Sequence, residues 1–348
     1  PVDVGTNIVF ISKTPGYTRT FSMVTKGQQQ NPQVLDLSRV VKEWISPNID
    51  HLIASPQNSM IVLSSQAEKE VYIFRYYTDG EKNLMEAWTS WIMPGTAQFT
   101  AIDSDDMYTV TKQGNQFVLL KAALSQSPEQ AIIVNSQGEK VNPSVDLYAT
   151  ASSVSYDSTN KLSKCYLPYN DVSTLTPVIV IKGNTSGGTF VESGFTVTPE
   201  RSSDSTGPYF IVKNKDLTSV ASDVIVGFKY DFDVHLPTTY YRPEEKSSDF
   251  TANLTIARMR FSVGLSGVMT FKVKAKGRSE LTYTQPVIEA NTYLANDVPL
   301  DNENTFTVPI HQRTENFKVR MFNDTPFPVA INAMMWEGNY TPRFYRRK

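Results

Sequence analysis

The sequence has few of the residues that most often carry enzyme chemistry. Its 348 residues include one cysteine, Cys165, and three histidines, His51, His235 and His311, whose spacing does not suit a metal site. A single cysteine excludes an internal disulfide, and we expect Cys165 to be a small buried apolar residue. No phosphate-binding loop, G-x-S-x-G turn or glycine-rich dinucleotide fingerprint is present. The sequence therefore predicts neither a catalytic residue nor a cofactor or metal.

Long apolar runs and a strong charge of one sign are also missing. The longest clean apolar stretches, such as Val178–Ile181, are far too short to span a bilayer, so we expect no stable membrane insertion. The formal net charge is −2, with 13 basic and 8 acidic residues in 251–348 and 20 basic and 27 acidic residues in 1–250. Neither part has the basic field of a dedicated DNA-binding protein.

Strand signals dominate what is present. Short runs rich in β-branched and aromatic residues are bounded by turn residues, as in 7–12, 60–65, 70–77 and 116–122. A single segment, Leu35–Ile45, favours a helix, because Asp36 or Ser38 could cap it and Pro47 would end it. The sequence therefore predicts an all-β protein.

The first 125 residues contain a repeat. Met60 corresponds to Met107, 47 residues later, and Val71 to Phe117, 46 residues later, with a looser third copy in 7–24. A period in the forties with several strands in each unit is typical of β-propeller blades. We therefore predict partial β-propeller blades in residues 1–125.

The composition changes after residue 125. Residues 126–220 are rich in Ser, Thr, Gly and Pro, which predicts a loop-rich β domain that could form the tip of the molecule. Residues 221–348 predict an antiparallel β domain of sandwich or barrel-like type. In its strand at 271–276, Phe271, Val273 and Ala275 alternate with lysines, and the glycine-containing segment 264–267 before it favours a hairpin.

Two acidic groups could carry chemistry. Asp231, Asp233 and His235 share one face of a predicted strand and could bind a metal or act as acid and base, although a solvated strand face explains them as well. The run Asp103–Asp106 could hold calcium, but aspartate is also favoured in the turn that we predict there.

Basic residues give a stronger candidate surface. The predicted hairpin would bring six of them together as a contact for nucleic acid or an acidic partner, or as a lysine row that protects a sheet edge: Arg258, Arg260, Lys272, Lys274, Lys276 and Arg278.

The stretch Met334–Lys348 is both aromatic and cationic. Such residues are enriched at buried interfaces, and we expect the following to contact a neighbouring strand or subunit: Trp336, Tyr340, Arg343, Phe344, Arg346 and Arg347. The alternative is that Trp336 packs in its own core.

Four stretches resemble a known family in order and spacing: "WTSWIMPG", "VIVGFKYDF", "VRMFNDTPFPVAINAMM" and the final "WEGNY" with its basic aromatic continuation. Together they are similar to the nozzle protein, or tail tubular protein B, of short-tailed, autographivirus-type bacteriophages. The resemblance covers most of the chain, least well at about 126–215, and corresponds to the C-terminal portion of the family's longer proteins.

The resemblance implies a structural, non-enzymatic virion protein. It implies a homo-oligomer, a hexamer, that forms the lower tail tube and contacts a tail adaptor protein and a tail fibre, with transient passage of viral DNA at ejection. Two alternatives stay open: a polysaccharide-degrading tail protein that uses the carboxylates near Asp231, and a host-surface-binding protein that uses the polar loops around 185–208.

Overall fold

A computed structural model describes residues 1–5, 7–24, 34–41, 43–78, 83–124, 133–134, 140–182, 194–229, 231–241, 253–285 and 304–341. The chain divides into two compact units, Pro1–Ser127 and Pro128–Lys348. Each consists mainly of antiparallel sheets, which confirms the predicted all-β class. Within the described residues, no helix has the length and apolarity needed to cross a membrane.

The described residues of the first unit form three antiparallel sheets. Sheet I has the strand order β1-β2-β3-β4, sheet II the order β5-β6-β7-β8, and sheet III the order β11-β10-β9. The strands are β1 (Val2–Asp3), β2 (Asn7–Thr14), β3 (Tyr17–Val24), β4 (Val34–Asp36), β5 (His51–Ser55), β6 (Met60–Ser64), β7 (Glu70–Thr78), β8 (Asn83–Ile92), β9 (Thr96–Asp103), β10 (Asp106–Gln113) and β11 (Gln116–Ala123).

Sheet II is the middle layer of this unit, and both its faces are apolar. The first face packs with Val9 of sheet I through Ile61, Leu63, Tyr72 and Phe74. The second packs with Ala97 and Met107 of sheet III through Met60, Val62, Val71 and Ile73. The predicted equivalence of Met60 and Met107 holds, since each is a buried residue in the second strand of its sheet.

The helix predicted at Leu35–Ile45 is wrong for the described residues of that segment, which form the short strand β4 and a series of turns. The two side chains named as possible caps have another role: the Ser38 hydroxyl accepts a hydrogen bond from the Thr20 amide at 3.0 Å and donates one to Asp36 at 2.8 Å. Val40, in the middle of the predicted helix, is 87% exposed. Hydrogen bonding to the neighbouring strand therefore outweighs the local helix signal.

In the described part of the second unit there are four larger sheets and a two-stranded one. Its strands are β12 (Ile133–Val134), β13 (Lys140–Val141), β14 (Val145–Thr150), β15 (Ser153–Asp157), β16 (Leu162–Tyr166), β17 (Pro177–Ile181), β18 (Thr196–Val197), β19 (Glu200–Asp204), β20 (Gly207–Lys213), β21 (Val224–Lys229), β22 (Phe232–His235), β23 (Asn253–Val263), β24 (Thr270–Ala275), β25 (Glu280–Thr284), β26 (Asn304–Arg313), β27 (Phe317–Asn323) and β28 (Ile331–Thr341). Short 3₁₀ helices span Thr218–Asp223 and Thr314–Asn316.

Sheet IV (β14-β21-β17-β18) and sheet V (β15-β16-β20-β19) share one core. Phe228 of β21 and Phe210 of β20 meet edge to face there, with ring centroids 6.0 Å apart. The predicted boundary at 220/221 would separate β21 from the other three strands of sheet IV, which all precede it in sequence. The division into domains 1–125, 126–220 and 221–348 stays a prediction.

Sheet VI (β22-β27-β24-β25) and sheet VII (β26-β23-β28) form a sandwich over a second core. Phe261 of β23 and Phe271 of β24 lie at its centre, with ring centroids 4.5 Å apart. The expected hairpin between these two strands is wrong: β24 pairs with β25 and β27, whereas β23 pairs with β26 and β28. The segment 264–269 passes from one sheet to the other, because each strand buries its apolar side against the opposite sheet.

Candidate interaction surfaces

The outer face of sheet VI carries the predicted lysine row. Phe271, Val273 and Ala275 are 0, 3 and 9% exposed, which confirms the alternation and directs Lys272 and Lys274 outward. Pairing with β27 adds two cations to this face, because Lys272 lies opposite Arg320 and Lys274 lies opposite Lys318. Neither Arg320 nor Lys318 belongs to the predicted basic surface. The same alternation in the sequence of β27 could have identified both of them.

Lys276 and Arg278 are exposed residues of the connection between β24 and β25. Glu280, the first residue of β25, lies opposite Lys274 and offsets part of the positive charge. The Lys272 ammonium also lies 4.7 Å from the ring centroid of Phe322, a cation–π distance. The lysine row is therefore a cationic strand face. Glu280 neutralises part of its charge, and Lys272 packs on the ring of Phe322.

Arg258 and Arg260 lie on the outer face of sheet VII, on the opposite side of the sandwich from the lysines, because the inner faces of the two sheets meet in the core. They do not join the lysines in one surface, contrary to the hairpin prediction. Glu337 of β28 binds both: its carboxylate lies 2.6 Å from Arg258 Nη2 and 3.0 Å from Arg260 Nη2. The hydrogen bond from Arg258 is the main cause that lowers the pKa of Glu337.

The two described aromatic residues of the candidate contact set belong to the sandwich itself. Trp336 and Tyr340 lie on β28 and pack, partly buried, against the core of sheets VI and VII. Tyr340 also contacts Tyr241, with ring centroids 4.2 Å apart. On the same strand, Met334 and Met335 are 44 and 54% exposed. The rest of the set, Arg343, Phe344, Arg346 and Arg347, lies outside the described residues.

Asp233 and His235 point outward from β22, while Phe232 and Val234 pack against the core. The Arg320 side chain donates hydrogen bonds of 2.6 and 2.5 Å to the two carboxylate oxygens of Asp233, and these bonds are the main cause that lowers its pKa. At neutral pH this carboxylate holds no proton to donate, so the arrangement suits an ion pair better than a general acid.

The other candidate sites have plain structural roles. Cys165 is fully buried, and this burial raises the pKa of its thiol to about 12. Asp103 and Asp106 flank the turn between β9 and β10, and Asp106 pairs with Lys121 at 2.8 Å. Among the residues that the structure describes, no three histidine, cysteine or acidic side chains come together in a way that could hold a metal ion.

Comparison with known proteins gave one match of consequence. A family described as "Bacteriophage nozzle protein" matches residues 1–347. No curated protein matched the chain. Among solved structures, the exo-β-1,3-galactanase of Phanerochaete chrysosporium with bound galactotriose is 11% identical over 97% of this chain and 94% of that chain, with a TM-score of 0.22. The same enzyme with galactose has a TM-score of 0.19 at 11% identity and 93% of both chains.

Structural scores at that level carry no argument about function. The family match, in contrast, covers almost every residue. It agrees with the all-β architecture and with the four stretches of sequence that resemble nozzle proteins. The chain belongs to the bacteriophage nozzle protein family, and it is a structural component of the tail of the virion.

Proposed function

We propose that copies of this chain, six in number, form a ring at the lower end of a short phage tail, and that the ring is a conduit through which the genome leaves the virion. The family match over residues 1–347 is the observation that carries this proposal. The predicted partners are other copies of the chain, the tail adaptor protein above the ring and a tail fibre beside it.

The charge of the chain supports a conduit. DNA binding through phosphate contacts strengthens with every counterion released, and a ring multiplies each contact by the number of copies. A strongly cationic lumen would therefore hold DNA rather than let it pass. A chain of net charge −2 avoids this.

The ion pairs of the second unit support the same interpretation. Arg258 and Arg260 share Glu337, and Arg320 is paired with Asp233. An arginine that already binds a carboxylate must give up that partner before it can bind a phosphate. These side chains therefore add less to DNA affinity than their number suggests.

The proposal includes no catalysis. The carboxylate that the sequence offered for such a role, Asp233, is held deprotonated by Arg320. A polysaccharide-cleaving protein would need a carboxyl group that keeps its proton near neutral pH. We expect no release of sugar from host polysaccharide by the purified protein, and the same result for Asp233→Asn.

Mass measurement and end-on electron micrographs of the purified protein test the ring. We expect a particle of six chains with a central opening in class averages. A particle with a different number of chains would correct the hexamer and keep the conduit. A protein that stays monomeric at all concentrations would contradict the proposal.

The predicted contact set is tested by shortening the chain. We propose that Arg343, Phe344, Arg346 and Arg347 bind a neighbouring subunit, so a chain that ends at Thr341 should assemble less completely. The control keeps the full length and replaces only the three arginines by glutamine. A loss in both variants indicates that charge carries the contact, a loss in the short chain alone indicates Phe344 and its neighbours, and unchanged assembly in both would refute this role.

A further inference from the structure

The outer face of sheet III bears a row of large apolar side chains. Phe99 of β9, Val110 of β10 and Leu119 of β11 lie directly opposite one another across the three strands. Phe99 is 55% exposed and Leu119 is 65% exposed, and Phe117 beside them is 66% exposed. Exposed apolar groups of this size, side by side on one face, typically mark a contact surface.

The repeat makes this exposure unusual. Phe117 corresponds in sequence to Val71, which is completely buried between sheets II and III. Sheet II is packed on both faces, whereas the described residues pack on sheet III only at the face that carries Ala97 and Met107. The rings of Phe99 and His51 have centroids 5.6 Å apart. No core cluster of the described residues includes Phe99, Phe117 or Leu119.

The other end of the stack has a similar face. On sheet I, Phe10 of β2 lies opposite Phe21 of β3 with rings stacked at 5.6 Å, and Ile8 lies opposite Met23. These four residues are partly exposed and point away from Val9, which faces sheet II. None of them packs against a core cluster of the described residues.

A stack with two different apolar ends favours one kind of assembly. The interfaces inside this unit already join sheets face to face, so sheet III of one copy against sheet I of the next would continue the same packing. Such a contact is head to tail, and head-to-tail contacts close into rings when the rotation between copies allows it. One exposed charge beside each row has no ion-pair partner on its own face within the described residues, and the two are opposite in sign: Lys112 lies opposite Phe117, and Asp3 lies opposite Ile8. The other charges beside the rows are paired within their own sheet, Lys121 with Asp106 and Arg19 with Asp36.

We propose that the outer face of sheet III, with Phe99, Leu119 and Phe117, docks on the outer face of sheet I, with Phe10 and Phe21, of a second copy of this chain. The inference rests on the proposed ring and names the surfaces that join its copies. The partner is a second copy because both complementary faces belong to this chain.

Cross-linking of chains with one added cysteine tests the pairing. The native Cys165 is fully buried, so a thiol reagent reacts with the added cysteine. Packed sheets lie about 10 Å apart, so the reagent is a bis-maleimide of that reach. We expect Phe99→Cys and Phe21→Cys chains to link when they are mixed, and neither chain to link alone. Val40→Cys, at an 87% exposed position, should not link to Phe99→Cys.

The double variant Phe21→Cys/Phe99→Cys also measures how many copies the ring contains. Head-to-tail contacts should give a ladder of covalent oligomers that ends at the number of copies in the ring. A link formed by Phe99→Cys chains alone would indicate a symmetric contact and overturn the proposal. Rings seen by mass measurement without any Phe99–Phe21 link would also overturn it and leave the conduit intact, whereas a monomer would contradict both.

A second variant keeps the proposal testable if the added cysteines disturb folding. Leu119→Asp puts a charge in the centre of the row and should reduce ring formation at least tenfold, with the circular dichroism of the monomer unchanged. Ile92→Asp alters a 74% exposed residue of sheet II that belongs to neither row, and it should assemble normally. Normal assembly of Leu119→Asp would count against the proposed interface.

Discussion

Arg320 holds Asp233 in a two-pronged ion pair across the neighbouring strands β27 and β22 of sheet VI. The two residues are 87 positions apart in sequence, so only the register of the sheet brings them together. The pair uses the carboxylate that the sequence offered as a catalytic acid and a cation that would otherwise add to the lysine face. This ion pair therefore argues against two interpretations of the domain, that it is an enzyme and that it binds DNA tightly.

Replacing Asp233 by asparagine should lower stability modestly. About one third of each side chain is exposed, so we expect a loss of ~0.5 kcal/mol in the free energy of unfolding, as for other partly exposed pairs. Urea unfolding measures this loss. Asp231→Asn, at the residue that precedes β22, is the matched control and should lower the free energy of unfolding by less.

The contribution of this pair should also depend on pH. The pKa of Asp233 is lowered in the folded chain from its ordinary value of 3.8, so the folded state binds fewer protons in the range between the two values. The stabilisation is complete above about pH 4 and is lost as the pH falls through the lowered pKa. The difference between Asp233→Asn and the parent should therefore shrink at acidic pH, and a difference that grew would contradict the ion pair.

Replacing Glu337 by glutamine should make the protein bind DNA more tightly. The change removes the carboxylate that neutralises Arg258 and Arg260, so both guanidinium groups become available to phosphates. We expect the slope of log affinity against log salt to steepen by about 1 for each phosphate gained in fluorescence anisotropy with duplex DNA. Glu200→Gln, which frees Lys213 on sheet V, is the control for a general change in charge. Equal effects would show that the position of Glu337 has no special role.

Local patterns predicted strands and faces well, and strand partners poorly. The alternation of Phe271, Val273 and Ala275 with lysines gave the buried side of β24, because a strand's two faces follow from its own residues. It could not give β27 as the neighbour, since that choice depends on residues more than 40 positions away. The hairpin prediction failed for this reason.

The candidate site has the same limit. The sequence identified Arg258 and Arg260 as cations but not Glu337 as their shared partner, 79 positions beyond Arg258. The outer row of sheet III was missed for a different reason. The repeat suggested that Phe117 is equivalent to the buried Val71, whereas a sheet at the end of a stack has an uncovered face that the pattern itself does not show.

Ser38→Ala tests the cause of the failed helix prediction. Ser38 is fully buried, and its hydroxyl accepts from the Thr20 amide, so alanine would leave that amide without its partner. We expect a loss of about 1–3 kcal/mol in the free energy of unfolding by urea. Ser12→Ala, at an exposed position of β2, should have little effect. Similar small losses in both would mean that the turn does not depend on this hydrogen bond.

Gly338→Ala tests whether β28 depends on close backbone contact. Gly338 lies opposite Ile256 beside a bulge in β23, and an added Cβ would meet the Thr255 carbonyl oxygen at 2.1 Å. That atom belongs to the backbone and cannot rotate away, so β28 must shift outward and carry Glu337 from its arginines and Trp336 from the core. We expect a loss of about 1–3 kcal/mol on thermal or urea unfolding, as for other overpacked sites. Asn339→Ala changes the adjacent exposed residue and should be nearly neutral. If both variants unfold like the parent, β28 can adjust at this position, and close packing of its backbone does not explain the glycine in the WEGNY stretch.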